Sequence, residues 1–176
     1  LAWDHPLNVG AVGVTGAPAA NALAAEADLV IAVGTRLQDF TSGSHALFAV
    51  DATCLGINVQ VSDAGKRGSV ALVADARVVL AALRPGSWRA DDAWTTRAKA
   101  LAAQWNLRVT ELTTSALPAG DLPYDADVIG AVRDSAEGSA NNDIVVCAAG
   151  TLPAELHKLW RTAQPGGYHV EYGYSC

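Results

Sequence analysis

The sequence contains no methionine among its 176 residues. Open reading frames begin with methionine, and a chain of this size ordinarily holds several more, so Leu1 is not expected to be a natural start. No segment approaches the roughly 20 apolar residues that a membrane-spanning helix needs, and no leader sequence is recognisable. We therefore expect a piece of a longer cytoplasmic protein that has no membrane partner.

Cysteine and positive charge are also scarce. The three cysteines show no C-x-x-C spacing, and the four histidines are scattered, so neither a disulfide framework nor a metal site is predicted within the chain. The net charge is −6, and the 12 Lys and Arg residues form no cluster. Because nucleic-acid binding needs clustered cations to neutralise phosphates, a nucleic-acid partner is not expected.

Apolar residues are abundant, at 51% of the chain, and their pattern alternates between short strand-like runs and amphipathic helical stretches. The predicted strands are 28–34, 55–61, 70–75, 143–150 and 168–174. Continuous apolar, β-branched runs such as 28–34 and 143–150 are typical of strands buried on both faces of a parallel sheet. The alternation predicts an α/β fold built on doubly wound parallel sheets.

Two linkers divide the chain into three parts. We expect a central α/β domain at 1–84, a helical connector at 85–124, and the truncated beginning of a second α/β domain at 125–176. A truncated sheet exposes strand edges and apolar surface. The isolated chain is therefore expected to aggregate, or to be partly disordered after about Asp125.

Two candidate ligand positions lie in the first domain. The glycines from Gly10 to Gly16 are spaced as G-x-x-G-x-x-G, which suits a close backbone approach to a helix or a ligand, although turn geometry alone is the simpler interpretation. Arg36 follows a predicted buried strand, at the edge where doubly wound sheets bind ligands. It is expected either to hold a phosphate or carboxylate, or to form a salt bridge with Asp39 or Asp28.

The stretch CAAGTLPAEL predicts a tight strand-to-helix turn. The strand ends at Gly150, and a helix begins at once with Pro153 in its first turn. Such a helix start presents free backbone N–H groups and a partial positive charge to a phosphate, and the Thr151 hydroxyl adds a donor or caps the helix. The alternative is an ordinary turn, of which every α/β protein has several.

The final stretch, HVEYGYSC, combines an imidazole with a carboxylate. His169 and Glu171 are two residues apart and share one face of a strand, with Tyr172 and Tyr174 on the other. This pairing suits proton transfer. An edge strand with a polar face is the alternative interpretation.

Together these segments resemble the thiamine-diphosphate enzymes related to acetolactate synthase, which have three α/β domains. The similar stretches are DHPLNVGAVGVTG, VGTRLQDFT, INVQVSDAGKRG, CAAGTLPAELHKLWR and YHVEYGYSC. Residues 1–83 resemble the central domain, and the chain from Asp125 onward resembles the start of the diphosphate-binding domain. Four of them, DHPLNVGAVGVTG, VGTRLQDFT, CAAGTLPAELHKLWR and YHVEYGYSC, together resemble the branch that opens the ring of a trihydroxycyclohexane-1,2-dione in inositol catabolism to give a deoxyglucuronic acid. The last two stretches are the most specific to this branch.

The resemblance implies roles for individual residues. Those implied to lie along the cofactor diphosphate are Ala149, Gly150, Thr151 and Leu152. Those implied to begin a glycine-containing loop that reaches the diphosphate and the aminopyrimidine are Gly173, Tyr174, Ser175 and Cys176. Those implied to lie at the active-site mouth, as catalytic candidates, are His169, Glu171 and Tyr172.

The resemblance also implies parts that this chain lacks. The family's activating glutamate is expected before Leu1 and its Mg²⁺ ligands after Cys176, so the fragment alone is expected to be inactive. Family active sites form between subunits, which implies a homodimer or a dimer of dimers acting on a small cyclic diketone. Two alternatives are an acetolactate-synthase-like carboligase whose central domain binds FAD, and a non-catalytic nucleotide-binding module.

Overall fold

The computed structural model describes residues 2–114, 120–135 and 143–170. The described helices are α1 (Pro18–Glu26), α2 (Asp39–Ser42), α3 (Val61–Ala64), α4 (Ala76–Ala82), α5 (Asp92–Thr113), α6 (Asp125–Ser135) and α7 (Thr151–Leu159). The described strands are β1 (Leu29–Val33), β2 (Thr53–Asn58), β3 (Val70–Val73), β4 (Val145–Cys147) and β5 (Tyr168–Val170). None of these helices is both long enough and apolar enough to cross a membrane.

The described strands form two separate sheets, and all of their pairings are parallel. The first sheet has the order β1-β2-β3, with Leu29 opposite Thr53 and Leu55 opposite Val70. The second consists of β4 and β5. Parallel neighbours need a crossover connection, and helices lie in the connections here. The predicted α/β class with parallel sheets is confirmed.

Strands β1 and β4 are less buried than their sequences predict. Leu29, Ile31 and Val33 share one face of β1 and are 39%, 49% and 37% exposed, whereas Ala32 on the other face is buried. Val146 in β4 is 72% exposed. Burial on both faces was therefore a wrong prediction for this chain, because each strand has a single neighbour in the described sheets and one face that is incompletely covered.

Helix α5 lies between the two sheets in the chain, and it packs against α6 and α7. Its residue Val109 forms a buried cluster with Ile129 of α6 and Leu159 of α7. Helix α6 approaches the end of α5 so closely that a Cβ on Gly130 would overlap the carbonyl oxygen of Thr113. This packing fixes the helix that begins at the candidate phosphate turn.

The glycine loop at Gly10–Gly16 packs backbone against backbone. Gly13 has φ +112°, and a Cβ there would overlap the carbonyl oxygen of Phe40. The Val14 N–H donates to that oxygen at 2.8 Å. The Asn21 side chain donates to the Gly13 carbonyl and accepts from its N–H, both at 2.9 Å. Close packing therefore accounts for the glycine at position 13.

Candidate functional site

The turn between β4 and α7 has the open geometry that an anion requires. Gly150 precedes the helix with φ 143° and ψ −173°, a combination that essentially only glycine adopts. Among the described residues, the nearest atom to a Cβ built there would be Cδ of Pro153, at 3.6 Å, which is ordinary van der Waals distance. No side chain caps α7, and no acidic residue lies in its first turn.

The first turn of α7 offers backbone hydrogen-bond donors. Thr151 and Leu152 are exposed, and no acceptor for their N–H groups occurs in the described part of the chain. Pro153 has no N–H, and the Ala154 N–H donates to the carbonyl of Gly150 at 3.1 Å. Two adjacent backbone donors at the positive end of the helix dipole therefore remain available to an anion.

His169 is the described member of the predicted catalytic group. It is exposed in β5, opposite Val146 of β4, and its Nε2 lies 2.8 Å from the carbonyl oxygen of Gly166. Because a carbonyl only accepts, Nε2 carries the proton in this contact, which leaves Nδ1 as the basic atom of a neutral ring. The other predicted residues of this stretch lie outside the described residues, and they are Glu171, Tyr172, Gly173, Tyr174, Ser175 and Cys176.

A cluster beneath α7 was not predicted from the sequence. The Tyr168 hydroxyl lies 3.4 Å from Sγ of Cys147, and that thiol donates to the carbonyl of His169 at 3.7 Å. The Tyr168 ring also lies 5.8 Å from the His157 ring, at an angle of 54°. Burial lowers the pKa of His157 below its usual value. Cys147 and Tyr168 are 21 residues apart, and only the pairing of β4 with β5 brings them together.

Arg161, just beyond α7, forms a second contact that the sequence did not indicate. Its guanidinium lies over the Trp3 ring, 4.5 Å from the centroid. It donates to the carbonyl of Asn106 at 3.1 Å and to the Thr110 hydroxyl at 2.5 Å. The N-terminal segment, α5 and the end of α7 are thus joined through one side chain.

Arg36 does not form the salt bridge predicted with Asp39 or Asp28. Its Nε lies 3.8 Å from Oδ2 of Asp63 in α3, and its side chain is 75% exposed. The Lys66 ammonium lies 2.9 Å from the other oxygen of the same carboxylate. The expected partner was wrong because α3, which follows β2, brings Asp63 to this edge of the sheet.

Metal-ligating side chains do not converge in the described ranges. No group of three or more His, Cys, Asp or Glu residues there is arranged to hold a cation. The donors of the candidate site are instead backbone amides, which suit an anionic group.

The chain is similar to known thiamine pyrophosphate enzymes and trihydroxycyclohexane-1,2-dione hydrolases. Residues 1–83 match the family model described as "Thiamine pyrophosphate enzyme, central domain". A 3D-(3,5/4)-trihydroxycyclohexane-1,2-dione hydrolase of Bacillus cereus (strain AH820) is 36% identical over 201 residues, covering 98% of this chain and 30% of the relative. The hydrolases of the same name from Geobacillus thermodenitrificans (strain NG80-2) and Clostridium perfringens (strain 13 / Type A) are 35% and 34% identical, with the same coverage.

The match extends through both sheets, although the chain spans about 30% of the length of the curated relatives it matches. Residues 1–83, which the family model covers, contain β1 to β3. The remainder of the chain, which contains β4 and β5, aligns with the same hydrolases. Residues 1–83 thus match the central domain of thiamine pyrophosphate enzymes, and the chain is similar to part of the trihydroxycyclohexane-1,2-dione hydrolases along 98% of its length.

Proposed function

We propose that the full-length protein is a thiamine-diphosphate-dependent hydrolase that opens the ring of trihydroxycyclohexane-1,2-dione to 5-deoxyglucuronate in myo-inositol catabolism. The observation that carries this proposal is the similarity to hydrolases named for that substrate, which covers 98% of the chain. The names of these relatives support the hydrolase rather than the FAD-binding carboligase or the non-catalytic module.

The proposal includes a domain organisation. Residues 1–84 form the central domain, 85–124 the connector that contains α5, and 125–176 the start of the diphosphate-binding domain. The Mg²⁺ ligands and the glutamate that activates the cofactor lie in other parts of the full-length protein. The active protein is a homodimer or a dimer of dimers in the cytoplasm, and residues 1–176 alone are inactive.

The turn before α7 fits the diphosphate end of the cofactor. A diphosphate needs several donors and a favourable potential, and a helix N-terminus supplies both. Gly150 leaves room for a close approach, and the exposed first turn adds the N–H groups of Thr151 and Leu152 and the Thr151 hydroxyl. We assign binding of the diphosphate to Ala149–Leu152.

In the reaction, residues of this chain bind the cofactor, orient it and move protons. When bound, thiamine diphosphate supplies a nucleophilic carbon and an electron sink for carbon–carbon cleavage. The first turn of α7 fixes the anionic end, so that the reactive end has a defined position relative to the substrate. We assign proton transfer to His169, through Nδ1, together with Glu171 and Tyr172 at the active-site mouth. The segment Gly173–Cys176 provides a further contact to the cofactor.

Ring opening by the purified full-length protein tests this function. Protein loaded with thiamine diphosphate and Mg²⁺ is expected to convert the cyclic dione to an acid, and dialysis against a chelator is expected to abolish turnover until both are restored. Loaded protein that leaves the dione unchanged would contradict the proposal. A visible flavin absorbance together with carboligation of two keto acids would favour the carboligase instead.

A further inference from the structure

The turn that leads into α7 has few constraints of its own. Strand β4 is three residues long and pairs with β5 alone among the described strands. Gly150 has no side chain that could pack against neighbouring residues, and no side chain among the described residues caps α7. The placement of the turn therefore depends on contacts made at its two ends, by the last residue of β4 and by the body of α7.

Tyr168 contacts both of these ends. Its hydroxyl lies 3.4 Å from Sγ of Cys147, the last residue of β4. Its ring lies 5.8 Å from the ring of His157, in the second turn of α7. Tyr168 is opposite Val145 in the sheet, so its side chain shares a face with Val145 and Cys147. One side chain thus contacts both the strand and the helix that flank the turn.

We propose that Tyr168 is a positioning residue for the cofactor turn. The Cys147 thiol donates to the carbonyl of His169, which leaves the sulfur lone pairs to accept from the Tyr168 hydroxyl. These contacts hold the end of β4 against β5, while the Tyr168 ring packs against α7. Tyr168 acts through the backbone from Ala148 to Gly150 and does not touch the cofactor. This inference rests on the proposed function, because it takes the turn to bind the diphosphate.

Tyr168→Phe in the full-length protein removes the hydroxyl that contacts Cys147 and keeps the ring that packs against His157. We expect the dissociation constant for thiamine diphosphate, measured by calorimetry with Mg²⁺ present, to rise about three- to tenfold, the range for one lost hydrogen bond. Cys147→Ala should raise this dissociation constant to a similar extent. The double variant should bind the cofactor no more weakly than the weaker-binding of the two single variants. Tyr124→Phe, at an exposed tyrosine before α6, is the matched control and should bind normally.

Two further readouts separate positioning from general destabilisation. The melting temperature of the cofactor-free Tyr168→Phe protein should lie within a few degrees of that of Tyr124→Phe, the shift expected for one lost hydrogen bond. Alkylation of Cys147, followed by peptide-resolved mass spectrometry, should be faster in Tyr168→Phe than in the wild type because the sulfur loses the contact with the Tyr168 hydroxyl. Unchanged cofactor affinity in Tyr168→Phe, or additive effects in the double variant, would overturn this inference alone. A wild-type protein that does not bind thiamine diphosphate would overturn the proposed function itself.

Discussion

His157 couples the stability of this region to pH. Burial lowers its pKa in the folded protein, so below the ordinary histidine value of about 6.5 the unfolded chain binds a proton that the folded chain does not. Stability should therefore fall as the pH drops below that value, and above it both forms are neutral and the effect vanishes. In the full-length protein, His157→Gln should reduce the fall in melting temperature between about pH 7 and pH 5. His45→Gln, at an exposed histidine, should retain the fall, and equal slopes in the two variants would contradict this account.

Gly13 is the position where a side chain is least tolerated in the first sheet's loops. Gly13→Ala adds a Cβ that overlaps the carbonyl oxygen of Phe40, at a backbone φ of +112°. We expect it to lower the free energy of unfolding by about 2–5 kcal/mol, the sum of overpacking and left-handed strain. Gly86→Ala also has a positive φ, but its Cβ meets no atom within 4 Å. Chemical denaturation should show a cost of only about 1–2 kcal/mol there, and equal costs for the two variants would exclude the overlap as the cause.

The strand-to-helix turn at Gly150 was predictable from the sequence, whereas the contacts that support it were not. A β-branched run that ends at Gly150, with Pro153 three residues later, is a local pattern, and α7 begins where that pattern places it. The contacts of Tyr168 with Cys147 and of Arg161 with Trp3 depend on how distant segments pack. No spacing within the sequence carries that information.

At the scale of elements, Arg161 joins the N-terminal segment, α5 and the end of α7. Arg161→Ala removes a cation–π contact and two hydrogen bonds, so we expect a loss of about 1–3 kcal/mol in unfolding free energy. Amide hydrogen exchange should also become faster around Trp3, whose ring loses the guanidinium while its N–H still donates to the Thr162 carbonyl. Arg108→Ala disrupts an exposed pair with Glu111 and should cost about 0.5 kcal/mol or less. Identical exchange in both variants would disprove the joining role.

The start of α7 should respond to the loss of its glycine. Ala at position 150 cannot readily adopt φ 143° with ψ −173°, so Gly150→Ala should shift the turn and move the N–H groups behind it. We expect the affinity of the full-length protein for thiamine diphosphate to fall about tenfold or more, since strain of this kind is worth about 1–3 kcal/mol. Gly120→Ala, at another glycine of positive φ with open space around it, is the control. Wild-type affinity in Gly150→Ala would show that the turn does not bind the diphosphate.

Element type was easier to predict than burial or short helices. The predicted helical connector at 85–124 contains α5, and the apolar, β-branched run predicted as a strand at 28–34 contains β1. Helix α3 is four residues long and follows β2 directly, so its sequence resembles a turn. The predicted burial of β1 was wrong because the composition of a strand shows only that it suits an interior position. It does not show which neighbouring elements the chain provides to cover the strand.

At the scale of the whole molecule, the apolar face of β1 should make the isolated chain associate. Leu29, Ile31 and Val33 are partly exposed on one face of an edge strand, and the strand carries no charge to prevent edge pairing. Residues 1–176 expressed alone should elute as concentration-dependent oligomers in size-exclusion chromatography with light scattering. Ile31→Lys should increase the monomer fraction, whereas Val50→Lys, in a fully exposed loop position, should not. A monomeric wild-type chain at high concentration would refute this expectation.

The central claim is that the amides at the start of α7 bind the diphosphate of the cofactor in the full-length protein. A crystal structure of that protein with thiamine diphosphate and Mg²⁺ tests it most directly. We predict phosphate oxygens within about 3.2 Å of the backbone nitrogens of Thr151 and Leu152, with Gly150 keeping its present conformation. A diphosphate located away from this turn, or a turn closed by side chains, would contradict the account.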